Sequence, residues 1–218
     1  MGLRLAVDSR VFIPRPETET LVEQVMVSCR GSSAEDPVSI LEIGTGSGNI
    51  SIALAKFLRG ARITALDVSP EALDVARQNA HFHRVEESIE FRQLDVFEPI
   101  DQILRRRWHV LVSNPPYVSR DAWESLPTEI RKYEPRVATS DWADGLTFYR
   151  RIVELAPLVL RDGGTMFLEI GYDQAQAVRA IMADGGVGTV TVAMDLDGHD
   201  RVMIGTVRSR SRSMPSVN

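Results

Sequence analysis

From Val38 to about Val207 the sequence repeats one alternation, a short apolar run followed by a stretch with apolar residues at helical spacing. That alternation leaves few architectures open. Short apolar runs of this kind need cover on both faces, and the helices between them supply it. The pattern therefore predicts an α/β fold, a mostly parallel sheet wrapped by helices. Strands are expected at Ser39–Ile43, Arg62–Asp67, Ile89–Gln93, His109–Ser113, Thr165–Ile170, Thr189–Met194 and Val202–Val207. Helices are expected near Asn49–Leu58, Pro70–His83, Leu146–Leu160 and Asp173–Met182. Pro70 directly after Ser69 is a helix-start signal. Only the stretch from Asp195 to Arg201 separates the last two strands. It is too short for a crossover helix, so that pair is expected to be antiparallel.

Three divisions of the chain follow. Residues 1–37 read as an extended lead-in and a helix. Ile13-Pro14-Arg15-Pro16 fixes the backbone in extended form, and Leu21, Val22, Val25 and Met26 recur at helical spacing from Thr18 to about Arg30. Residues 38–207 carry the alternating pattern. Residues 208–218, rich in Arg and Ser, are expected to be a disordered basic tail. The formal net charge of −5 offers no global field to draw the protein onto nucleic acid or an anionic membrane. Cys29 is the only cysteine, which excludes an intrachain disulfide or a Cys-based metal cluster and suits a reducing cytoplasm. None of the four histidines has metal-ligand spacing, so no metal is expected.

The first strand runs into Gly44-Thr45-Gly46-Ser47-Gly48 and then into a helix. Strand, glycine turn and helix together form the arrangement in which a ligand approaches the backbone at the carboxyl end of a parallel strand. The spacing is Gly-x-Gly-x-Gly, unlike the Gly-x-Gly-x-x-Gly of dinucleotide binders, and no Lys-Ser/Thr pair makes it a phosphate loop. Asp67 ends the second strand, where its carboxylate can accept from two ribose hydroxyls. Asp95 is expected to close the third strand at the same edge, placed to accept from the exocyclic amine of an adenine. Glu42, just before the glycines, either orients the turn or meets the positive end of a ligand.

The fourth strand runs into Asn114-Pro115-Pro116-Tyr117. Two consecutive prolines make this loop rigid at the glycine edge. An amide or aromatic NH2 has a delocalised lone pair and is a poor nucleophile. The Asn114 side-chain oxygen and the Pro115 carbonyl can each accept one of its N–H groups, which pins the nitrogen and stabilises the positive charge that develops as it attacks a methyl donor. Tyr117 offers a flat face to the same group.

With these residues in place, the chain resembles the class I methyltransferases, and among them the HemK-like protein-glutamine N5-methyltransferases of peptide-chain release factors. Phe12-Ile13-Pro14-Arg15-Pro16-Glu17-Thr18-Glu19 is similar to that family's segment ahead of the sheet. Leu41 to Gly48 resembles its cofactor turn, and Ser113 to Val118 its catalytic loop. Tyr133-Glu134-Pro135-Arg136, Asp144-Gly145-Leu146, Tyr149-Arg150, Glu169-Ile170-Gly171 and Asp200-Arg201-Val202 follow in the family's order. The resemblance implies a Rossmann-like class I fold with seven strands, the last antiparallel, and helices on both faces. It implies S-adenosylmethionine as cofactor, leaving as S-adenosylhomocysteine. Gly44, Thr45, Gly46, Ser47, Gly48, Asp67, Val68, Asp95, Val96 and Asn114 would hold that cofactor. Asn114, Pro115, Pro116 and Tyr117 would receive the Gln of a Gly-Gly-Gln loop, with Arg15 and Glu134 shaping the mouth of the pocket or forming a surface salt bridge. Some members place a Trp beside the adenine-side Asp, where this chain has Val96. Members also carry a helical domain ahead of the Pro-Arg-Pro segment. Its absence from this sequence leads us to expect either a catalytic fragment or a different mode of substrate recognition. Asn-Pro-Pro-Tyr is shared with adenine-N6 methyltransferases, so a nucleic-acid base amine (adenine N6 or guanine N2) is the alternative substrate. A non-catalytic cofactor-binding module and a nicotinamide enzyme remain the more distant readings.

Overall fold

The computed structural model describes residues 1–33, 35–99 and 108–207, so the expected basic tail lies outside the described residues. In chain order the elements are α1 (Thr18–Ser28), β1 (Ser39–Ile43), α2 (Asn49–Phe57), β2 (Arg62–Asp67), α3 (Pro70–His83), a 3-10 turn (Glu86–Ser88), β3 (Ile89–Gln93) and β4 (Trp108–Ser113). They continue with α4 (Arg120–Trp123), α5 (Thr128–Tyr133), α6 (Arg136–Thr139), α7 (Thr147–Val159), β5 (Leu160–Glu169), α8 (Ala175–Asp184), β6 (Val187–Met194) and β7 (Asp200–Val207). The expected strands and long helices are all present. Ser69 caps α3 by accepting from the Ala72 N–H at 3.1 Å, with Pro70 in the first turn. The three helices between Arg120 and Thr139 were not expected. At four to six residues each they are too short to show a helical period.

The seven strands form one sheet in the order β3-β2-β1-β4-β5-β7-β6. β1 to β5 pair in parallel, and β7 runs antiparallel between β5 and β6, as the short 195–201 connection requires. β5 begins at Leu160, ahead of the expected Thr165. Leu160 pairs with Trp108 across an irregularity that takes up Gly163 at φ +75° before the regular ladder resumes at Thr165.

Side chains alternate across the sheet, and the two faces carry separate cores. Leu41, Ile43, Leu111, Met166 and Leu168 pack with Tyr149, Ile152 and Val153 of α7 and with Val178 and Met182 of α8. Ile40, Val110, Val112 and Phe167 point the other way, against Leu21, Val22 and Val25 of α1 and Ile50, Ile52 and Leu54 of α2. This parity places the functional side chains. Glu42, Asn114 and Glu169 each follow the face of Ile40, Val112 and Phe167, toward α1 and α2. Among the described residues, no helix is long and apolar enough to cross a membrane.

Candidate active site

A cavity of about 530 Å³ runs along the carboxyl edge of the sheet. Its walls include Gly44 to Ser47, Asp67, Val68, Asp95, Val96 and the whole of Asn114 to Tyr117. Of the residues expected from sequence to hold the cofactor or receive the substrate amide, all but Gly48 line this one space, whereas Glu42 and Glu134 lie behind it. Gly48 acts behind it. At φ +83° it starts α2, and a Cβ there would lie 2.9 Å from Ile52 Cδ1 and 3.2 Å from the Ala76 Cβ, so it sets how closely α2 approaches α3.

The glycine turn is held mainly by backbone. Gly44 and Thr45 N–H both donate to the Leu66 carbonyl, at 2.8 and 2.9 Å, and Gly48 N–H donates to Thr45 O at 2.8 Å. The Asp67 carboxylate closes the turn from β2, accepting from Gly46 N–H at 2.8 Å and from Ser69 N–H at 3.0 Å. Burial raises its pKa, and the N–H groups of Ser69, Gly46 and Val68 pull it back. Beneath the turn, Glu42 is fully buried and accepts from Thr45 Oγ1 at 2.8 Å. Glu42 therefore orients the turn. Burial pushes its carboxyl up to about 7, against hydrogen bonds from Thr45 and Ser51.

Asp95 lies two residues beyond the end of β3, rather than closing it. Its Oδ1 accepts from Phe97 N–H at 2.9 Å, so it caps the following turn and also lines the cavity. Phe97 meets Phe148 edge-to-face at 5.2 Å, and both line the cavity on this side. They bring aromatic surface beside Val96, two side chains that sequence reasoning had passed over.

The Asn-Pro-Pro-Tyr loop is tied down at both ends. At the first, Asn114 Nδ2 donates to Thr18 Oγ1 at 3.3 Å. At the second, the Tyr117 carbonyl accepts from Gln174 Nε2 at 3.1 Å, and Gln174 also reaches Gly145 O at 3.2 Å. The Gln174 oxygen accepts from Gly171 N–H at 2.9 Å and from the Tyr149 hydroxyl at 3.2 Å. Burial pushes the Tyr117 phenol up to about 12, so it is neutral across the working range. Arg15 stacks over Phe12 at 4.8 Å and forms an ion pair with the buried Glu134. The expected ion pair forms, with Glu134 buried rather than at the surface; of the two residues Arg15 lines the cavity. The far wall comes from two of the unexpected short helices and the turn before them, through Leu126 between α4 and α5, Ile130 of α5, and Val137 and Ala138 of α6.

Gln174 and Asn79 carried no signal in the sequence. Asn79 is a polar residue in a helix, and its amide bridges Ser47 O at 2.9 Å and Ala6 O at 2.9 Å, lashing the lead-in segment to the glycine turn. A lone amide on a helix gives no sequence cue of this kind.

A family profile described as "Methyltransferase domain" matches residues 34–182. A release factor glutamine methyltransferase of Chlorobaculum tepidum is 42% identical over 203 residues, covering 92% of this chain and 68% of the relative. One from Fusobacterium nucleatum subsp. nucleatum is 39% identical over 203 residues, covering 93% of this chain but only 56% of the relative, so the chain spans little more than half of that protein. Among solved structures, a release factor-specific protein-(glutamine-N5) methyltransferase from Alicyclobacillus acidocaldarius is 29% identical with a TM-score of 0.55, covering 90% of this chain and 95% of that one. With extended identity to these proteins and the methyltransferase profile over most of its length, the chain belongs to the release factor glutamine methyltransferase family.

Proposed function

We propose that this chain transfers a methyl group from S-adenosylmethionine to the side-chain amide nitrogen, N5, of a glutamine in the Gly-Gly-Gln loop of a peptide-chain release factor, and so acts in the cytoplasm. The observation that carries this reading is the continuity of the cavity: the glycine turn and its carboxylates open into the same space as Asn114 to Tyr117. The residues present suit the cofactor. Asp67 stands with both oxygens anchored by backbone N–H groups, each retaining capacity to accept from a ribose hydroxyl. Gly44 and Gly46 put no side chain in the way, and the cavity volume lies in the range of small-molecule sites. Val68, Asp95, Val96, Phe97 and Phe148 form a largely apolar wall with one carboxylate, suited to a purine and its amine.

When bound, S-adenosylmethionine supplies an electrophilic methyl on a sulfonium. The chain's own residues present the nucleophile. The Asn114 side-chain oxygen and the Pro115 carbonyl accept the two N–H groups of the glutamine amide, fixing its plane and drawing its lone pair toward the methyl. Positive charge then builds on a nitrogen facing two acceptors, and the methylated amide sheds its extra proton readily, so no strong base is needed. Tyr117, neutral and half-buried, supplies a flat face against the amide.

The test is to incubate the protein and labelled cofactor separately with release factor and with DNA or RNA. Label is expected on the release factor. Label appearing only on nucleic acid would establish the base-amine alternative instead.

A further inference from the structure

Glu169 is a buried carboxylate to which methyl transfer, as derived above, gives no task. It ends β5 where that strand lies against β4, and Leu168 pairs with Ser113, so Glu169 sits beside Asn114. The residue is 1% exposed, and its Oε2 has no hydrogen-bond partner among the described residues. A carboxylate in such a place carries a free-energy cost. Its parity turns it toward α1, whose first residue, Thr18, is buried at 2% exposure.

The three side chains form a chain of donors and acceptors. Asn114 Nδ2 donates to Thr18 Oγ1 at 3.3 Å. A hydroxyl that accepts still has one proton to give. Thr18 and Asn114 both act as donors toward the Glu169 carboxyl and hold its pKa down. Everything behind the Asn114 amide is thus an acceptor. The NH2 end must turn backward, which leaves the oxygen for the cavity.

We infer that Glu169, acting with Thr18, is a positioning residue for methyl transfer, holding the Asn114 amide with its oxygen toward the substrate nitrogen. The inference rests on the proposed function for the role of that oxygen. A negative charge behind the NH2 also polarises the amide and makes its oxygen a better acceptor for a nitrogen becoming positive.

The arrangement is sensitive to pH. Burial pushes the Glu169 carboxyl up to about 7, opposed by the hydrogen bonds from Thr18 and Asn114 and by the charge of Arg201 on β7, and assisted by Glu17 at the start of α1. Tyr117 and Tyr149 also face it, both phenols raised by burial and therefore neutral. A protonated Glu169 gains a donor of its own, so the Asn114 amide no longer meets acceptors alone and loses its preference. Transfer falls as pH drops through about 7.

The experiment measures kcat and KM for release factor on either side of pH 7, with cofactor affinity by calorimetry, in wild type, Glu169→Gln and Thr18→Val. It also follows the 15N-labelled Asn114 side-chain amide by NMR without substrate. Wild type is expected to show an acid limb near pH 7 and an Asn114 resonance that titrates with it. Glu169→Gln is expected to lose both, with kcat reduced about ten- to a hundredfold, KM changed much less and cofactor affinity held within about threefold. Thr18→Val is expected to lower kcat while keeping the acid limb. Wild-type kcat with an intact acid limb in Glu169→Gln overturns the inference. If that variant fails to fold, the wild-type resonance decides alone, and an Asn114 amide indifferent to pH around 7 overturns it. Absence of any transfer to release factor by wild type removes the proposed function instead, and the NMR titration still judges the positioning.

Discussion

The two ends of the cavity are built by different means. The glycine turn is made largely within its own neighbourhood: Leu66 O, Thr45 O and Asp67 satisfy its N–H groups, and Glu42 braces it from three residues away. The Asn-Pro-Pro-Tyr loop has stiff prolines, but its anchors come from afar. Thr18 is 96 positions from Asn114, and Gln174 is 57 positions from Tyr117. One end is braced from the adjoining β2 and α3, with Asp67 21 positions from Gly46 and Asn79 32 positions from Ser47. The other is only as well placed as the whole tertiary structure makes it. The two ends should therefore fail separately and in different observables.

The sharpest separation is expected from Asn114→Ala. It should lower kcat by at least about a thousandfold while calorimetric cofactor affinity stays within about threefold. Near-normal turnover would dissolve the division of labour. The converse variant, Asp67→Ala, should weaken cofactor binding about ten- to a hundredfold, because the ribose acceptor and the brace of Gly46 are lost together. An unchanged affinity removes Asp67 from that role. Gln174→Ala releases the Tyr117 carbonyl without touching the turn, so a roughly tenfold fall in kcat at constant cofactor affinity is expected from steady-state rates and calorimetry. Gly48→Ala, which forces a side chain against Ile52 and Ala76 at positive φ, should cost about 1–3 kcal/mol in denaturant unfolding. The smallest effect concerns pH. The Glu42 carboxyl is raised by burial to about 7 in the folded protein, so its contribution to stability is full below the unfolded value and is lost as pH rises through 7. Glu42→Gln should therefore narrow the gap in melting temperature between pH 5 and pH 8, by a few degrees at most.

The same contrast explains what was legible in the sequence. Strand β2 and helix α3 follow from apolar runs and a Ser-Pro start, and both are found at the expected residues. Gly44 to Gly48, Asp67 and the Asn-Pro-Pro-Tyr loop announce themselves by local pattern. Thr18 and Glu169 were visible only as members of segments resembling a family, with no task attached, because their meeting with Asn114 depends on the sheet order and on the face to which each strand residue points. Helices α4 to α6 left no periodic trace, yet α5 and α6 wall the cavity through Ile130 and Val137, with Leu126 from the turn ahead of them. Phe97 followed Asp95 by two residues, but only the approach of α7 gives it a partner in Phe148.

The most direct test of the central claim is fragmentation mass spectrometry of a release factor after incubation with the protein and S-adenosylmethionine, which locates the added methyl. One methyl is expected on the side-chain nitrogen of the glutamine in the Gly-Gly-Gln loop, absent with Asn114→Ala. A methyl on another residue of the release factor, or none while a nucleic-acid substrate is methylated, would contradict it.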